Sequence, residues 1–179
     1  MREEIINRVA DECLQYIREN SWAGACFATS AVNSVLLKEF DIDAHPCLGV
    51  FSAEVAESDG KQSNLAFDHA WVMHESMIID VAITNGLNVN FGSGLLPADG
   101  IRGKPCSAFK YGINMDMDED TLRDVANFSI FMRNSPHFDP SLNYWDLATI
   151  LAKRVGLIRS KNELERRYKN LTWKIVRDD

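Results

Sequence analysis

Two runs of strand length, Ala66 to Met73 and Met77 to Ile83, lie only three residues apart, separated by His74-Glu75-Ser76. A gap that short joins the strands as an antiparallel hairpin, because a parallel pair needs a crossover of a dozen residues or more. The hairpin carries chemistry. His69 lies in the first run, and Asp80 closes the apolar stretch Met77-Ile78-Ile79 of the second. A loop centred between His74 and Glu75 sets His69 directly opposite Asp80 on one face, with Cβ atoms roughly 5 Å apart. A slip of one residue would turn Asp80 to the other face. A carboxylate at the end of an apolar run is costly to bury alone, and a histidine beside it removes that cost.

Upstream, Trp22-Ala23-Gly24-Ala25-Cys26 leads into a segment from Phe27 to Phe40 that is apolar on most sides. That pattern predicts a buried central helix with Cys26 in or just before its first turn. Only the thiolate of cysteine is a strong nucleophile, and a helix N-terminus and a neighbouring imidazolium both favour that charge. Cys26, His69 and Asp80 thus supply a nucleophile, a general base and an orienter. Unpaired first-turn amides, that of Cys26 foremost, would stabilise an oxyanion. Trp22 or Trp71 is expected to bind substrate by walling the acyl site.

The remaining segments arrange themselves around this centre. Residues 3 to 18 repeat apolar side chains every three or four positions, an amphipathic helix. A strand is expected from Cys47 to Ser52, and a surface loop or hairpin end from Glu54 to Asn64 with its turn at Asp59-Gly60. Thr84 to Tyr111, rich in Gly, Asn and Pro, reads as a long loop with one or two short strands, a candidate lid or recognition surface. Helices are expected from about Met115 to Met132, from Asp139 to Val155, and from Ser160 to Trp173. The fold class is therefore α+β, a single domain over residues 1–179 with a catalytic core at about 20–85 and a helical C-terminal part at about 115–175.

The bulk properties narrow the partners. A net charge of −7 argues against nucleic acid, which needs a basic face. No apolar run reaches the roughly 18 residues of a membrane span, and the charged N-terminus lacks a signal sequence, so a cytoplasmic protein is expected. Cys13, Cys26, Cys47 and Cys106 contain no C-x-x-C pair and are expected as free thiols. His45 and Cys47 lack a second ligand pair, and Asp116, Asp118 and Asp120 fit a helix start better than a calcium loop, so no metal or cofactor is expected. Asp68 should face away from His69, as a structural or substrate-facing group, while His74 and His137 read as turn and loop residues.

The Gly-x-Cys at a helix start, the Gly-Val-Phe strand, the His-Ala-Trp-Val strand and the Ile-Ile-Asp strand together resemble the transglutaminase-like branch of the papain-like cysteine enzymes. The resemblance covers roughly residues 20 to 85. It implies a central helix carrying Cys26 packed on a small antiparallel sheet carrying His69 and Asp80. It also implies a thiol-dependent hydrolase of the peptidase or amidase kind, acting through a thioester on a peptide or a small amide or ester. Transglutaminases and arylamine N-acetyltransferases are the acyl-transferring alternatives within the resemblance. After Asp80 the chain reads Val81-Ala82-Ile83-Thr84-Asn85 rather than the family's Trp-Thr-Asp-Pro-type motif. A non-catalytic binding module on the same fold is the alternative of another class.

Overall fold

The structure is a computed structural model and describes residues 1–56, 62–83, 99–104 and 107–177. The expected Asp59-Gly60 turn, Cys106 and most of the 84–111 loop lie outside the described residues.

Helix α1 (Arg2–Glu19) buries Ile6, Val9, Ala10, Cys13, Leu14 and Ile17, the stripe its spacing predicts. Helix α2 (Cys26–Glu39) is buried continuously from Ala28 to Leu37, so it has no solvent face. Two of its interior hydroxyls are satisfied locally, Thr29 Oγ1 donating to the Ala25 carbonyl and Ser34 Oγ to that of Ala31, both at 2.8 Å. These bonds offset the cost of burying the two hydroxyls.

Strands β1 (Ala44–Ala56) and β2 (Gln62–His74) pair antiparallel over thirteen residues each, from Ala44↔His74 to Ala56↔Gln62. Both extend beyond the expected strands into the segment read as surface loop. Strand β3 (Met77–Asp80) adds to β2, β4 (Ile101–Gly103) to β3, and β5 (Phe109–Ile113) to the far edge of β1, giving the order β4-β3-β2-β1-β5. A final short strand, β6 (Lys174–Ile175), pairs with β1 in parallel, so the sheet is mixed rather than antiparallel throughout. The fold class is α+β.

The helical part differs from expectation in its breaks. The helix expected from Met115 to Met132 is two, α3 (Glu119–Val125) and α4 (Phe128–Phe131), because the Asn127 side chain caps the amide of Ile130 and restarts the helix. Helix α5 (Tyr144–Arg154) begins later than Asp139, at a capping box formed by Asn143 and Asp146. Helix α6 (Lys161–Tyr168) is shorter than expected and starts at a second capping box, Ser160 with Glu163. It is tied to the end of α2 by Arg159, Arg167 and Tyr168, which all bind the buried Glu39 carboxylate.

The two faces of the sheet have different chemistry. Leu48, Val50, Ala70, Val72 and Ile79 pack with α1, α2 and α5 in the larger core. The opposite face holds an aromatic cluster, Phe51, Trp71, Phe109 and Tyr111, with Cys47, Ile83 and Ile101. Among the described residues no helix is long and apolar enough to cross a membrane.

Candidate active site

The β2–β3 hairpin turns through Glu75 and Ser76, with Glu75 at φ +53°, and pairs His74↔Met77, Met73↔Ile78 and Val72↔Ile79. This register corrects the expected one by two residues. Continued one step, it sets Asp80 beside Trp71 instead of His69. A two-residue slip keeps every side chain on its face, so Asp80 still shares the face of His69. The contact is therefore diagonal, and His69 Nε2 meets Asp80 Oδ2 at 2.6 Å with both residues 2 % exposed.

Asp80 is held from four directions. Its Oδ1 accepts from the amides of Ala82 and Ile83 at 3.1 and 3.2 Å, a turn that ends β3. Its Oδ2 accepts from His69 and, at 2.8 Å, from the Tyr111 hydroxyl. The carboxylate thus serves as both strand-end turn former and partner of the histidine. A side chain at position 100 would press a Cβ to 2.3 Å from the Asp80 carbonyl oxygen, and Gly100, at φ +74°, leaves that space open.

Tyr111 was not legible as a site residue. It sits on β5, with β1 and β2 between its strand and β3. Its bond to Asp80 requires the sheet to curl around the aromatic face. Gly49 leaves room on that face: a Cβ there would lie 2.9 Å from Trp71 Cη2 and 2.7 Å from the Val176 carbonyl oxygen. Trp71 lies across the bare backbone of Gly49, its ring centroid 5.0 Å from that of Tyr111 and stacked 6.4 Å from His69.

Cys26 is the first residue of α2, and the residue before it, Ala25, offers no side-chain cap. Helices α3 to α6 each carry a side-chain cap, at Asp118, Asn127, Asn143 and Ser160. The first-turn amides of α2, which have no intrahelical acceptor, therefore remain available beside the thiol. Cys26 is half-buried, whereas Cys13 and Cys47 are fully buried. Burial pushes the Cys47 thiol up to about 11 and raises that of Cys13 further.

The ring of His69 links the two halves of the site. Burial alone would lower its pKa, but the Asp80 carboxylate and the Cys26 sulfur, through charge and hydrogen bonding, push it up to about 10. With Nε2 held by Asp80, Nδ1 is the nitrogen left for Cys26. It is buried and makes no hydrogen bond of normal geometry among the described residues.

A cleft of about 300 Å³ opens here, lined by Ala23–Phe27, Phe67, Asp68, His69, Ala82 and Ile83. The two tryptophans expected to wall it do not line it. Trp22 is buried under α5 against Phe138 and Tyr144, and Trp71 lies in the aromatic core below the histidine. Phe27 and Phe67 supply apolar wall in their place. Asp68 does face the cleft, and its Oδ2 accepts from the Asp118 amide at 2.9 Å. His45 pairs with Asp43 at 3.3 Å, Asp118 caps α3, and no group of three metal-holding side chains exists among the described residues. No known protein family, curated protein or solved structure matches the chain.

Proposed function

We propose that the protein is a thiol-dependent acyl-transfer enzyme, hydrolytic by default, with Cys26 as nucleophile, His69 as acid and base, and Asp80 as orienter. The observation that carries the reading is the division of labour on His69. One ring nitrogen is fixed by a buried carboxylate at 2.6 Å, while the other is buried and left to Cys26, the half-buried thiol among those described, whose sulfur acts on the ring. A structural histidine has no need of that arrangement. The raised pKa of the ring favours an imidazolium at neutral pH, the partner a thiolate requires. The same reading assigns the central helix on a curled sheet to the papain-like, transglutaminase-like kind of architecture.

The chemistry follows. The Cys26 thiolate attacks an acyl carbon, and the carbonyl oxygen turns toward the uncapped amides of α2. As the carbon–nitrogen bond breaks, the leaving amine takes the proton from His69 and a thioester remains on Cys26. Neutral His69 then removes a proton from water, or from an acceptor amine, as it attacks the thioester and restores the thiolate. Tyr111 and Trp71 hold the orienter and the ring in place.

The test is to trap the acyl-enzyme. Incubation with p-nitrophenyl acetate should release p-nitrophenol in a burst and leave an acetyl group on the Cys26 peptide, seen by mass spectrometry. Absence of acylation at Cys26, with the protein folded, would mean that the site binds and does not react.

A further inference from the structure

The cleft beside Cys26 has an apolar lining broken by one carboxylate. Apart from Cys26 and His69, Asp68 is the ionisable side chain among its described lining residues; the others are Ala23, Gly24, Ala25, Phe27, Phe67, Ala82 and Ile83. We infer that Asp68 makes this cleft selective for acyl donors that carry a positive charge, an ammonium or guanidinium group placed close to the reacting carbonyl. The inference rests on the acyl-transfer reading and names the substrate class of that same site.

Four observations support it. Asp68 is adjacent to His69 in β2 but on the α2 side of the sheet, as its pairing with Val50 requires, so the ring and the carboxylate approach the cleft from different sides. Its Oδ2 is fixed by the Asp118 amide at 2.9 Å, which leaves the carboxylate positioned before any ligand arrives. The chain segment it holds is itself acidic, with Asp116, Asp118, Glu119 and Asp120 all exposed. Two cations meet that segment at carboxylates other than Asp68, Arg177 at Asp116 (3.1 Å) and Arg123 at Asp120. An apolar wall lowers the local screening, so a single carboxylate there acts more strongly than one on an open surface. The positive end of α2 is directed at the thiolate and the developing oxyanion, so the two fields sort the two ends of a substrate rather than cancel.

The bond to Asp118 also allows a structural role, that of anchoring the approach to α3. Asp68→Asn separates the two roles, because the amide oxygen can still accept from Asp118 while the charge is lost. Three thiol reagents read the field without knowledge of the substrate: cationic trimethylammonioethyl methanethiosulfonate, anionic sulfonatoethyl methanethiosulfonate and neutral methyl methanethiosulfonate. Labelling rates of the Cys26 peptide are measured at low ionic strength and divided by the rate of the neutral reagent, so a general change in thiol reactivity cancels. The wild type should favour the cation over the anion by about tenfold or more, and Asp68→Asn should remove most of that preference. Glu3→Gln, an equal charge change at an exposed position of α1, should leave it intact. A preference near unity, or one unchanged by Asp68→Asn, overturns the inference while the acyl-transfer reading stands. Failure of Cys26 to react with any of the three overturns that reading, and the inference with it.

Discussion

Strand β2 buries two histidines, His69 at 2 % exposure and His74 at 6 %, and holds their rings in different ways. His74 Nδ1 donates to the main-chain carbonyl of Asp43 at 3.0 Å, and its Nε2 lies 4.0 Å from the exposed Glu75 carboxylate. His69 meets a buried carboxylate through Nε2 and keeps Nδ1 for a thiol. A backbone carbonyl fixes a ring without adding a full charge, which is all that packing needs. A buried carboxylate stabilises the charged ring, at a desolvation cost a merely structural site would avoid. The comparison teaches that burial of a histidine is not a sign of function, whereas the charge of its partner is.

The largest expected effect comes from removing each ring in turn. His69→Ala should lower the rate of Cys26 acylation by p-nitrophenyl acetate by about 10²-fold or more, the usual share of a proton-transferring group. His74→Ala should leave that rate within about twofold and instead cost about 1–3 kcal/mol in urea unfolding, for a lost buried hydrogen bond and the space left behind. Equal kinetic losses in the two variants would erase the distinction.

Asp80→Asn sharpens it by removing charge at nearly constant shape. The acylation rate near pH 6 should fall about tenfold or more, because the imidazolium loses its counter-charge and the ring its preferred tautomer.

A pH dependence of stability is expected as well. The folded-state pKa of His69 is raised, from 6.5 to about 10, so the native state holds a proton that the unfolded chain has released. Its contribution is fully present below about pH 6.5 and is lost as pH rises toward 10. In the wild type the proton kept by His69 is offset by the one given up by the Cys26 thiolate, so this contribution is read in Cys26→Ser. The buried thiols begin to matter only near the ordinary thiol pKa of about 8.5, and in that background the slope between about pH 6.5 and 8.5 belongs to His69. Denaturant midpoints should decline across that window in Cys26→Ser, and stay level both in the wild type and in Cys26→Ser with His69→Ala.

The smallest effect is that of Tyr111→Phe, which removes one of four hydrogen bonds to Asp80. It should cost about 1 kcal/mol of stability and reduce acylation a few-fold, with no change in the charge preference of the cleft.

Local pattern carried much of this site. Cys26 opens a buried helix because small residues precede it and apolar ones follow. His69 and Asp80 share a face because strand parity survives a two-residue error in register. The register itself depended on the conformation of Glu75, at φ +53°, which no pattern of apolar residues specifies. Tyr111 became a partner of Asp80 only through packing across the aromatic face, a contact between segments 31 residues apart. Trp22 and Trp71 were misplaced because an aromatic side chain fits a core or a cleft wall equally well, and only the packing of Phe138, Tyr144 and Tyr111 around them decides.

The most direct test is the rate of iodoacetamide alkylation of Cys26 as a function of pH, in the wild type and in His69→Ala. A thiolate held by the imidazolium predicts fast alkylation that persists below about pH 7 and disappears in the variant. A slow rate that rises only near pH 8.5 and ignores the substitution would contradict the pairing of Cys26 with His69, and with it the enzyme.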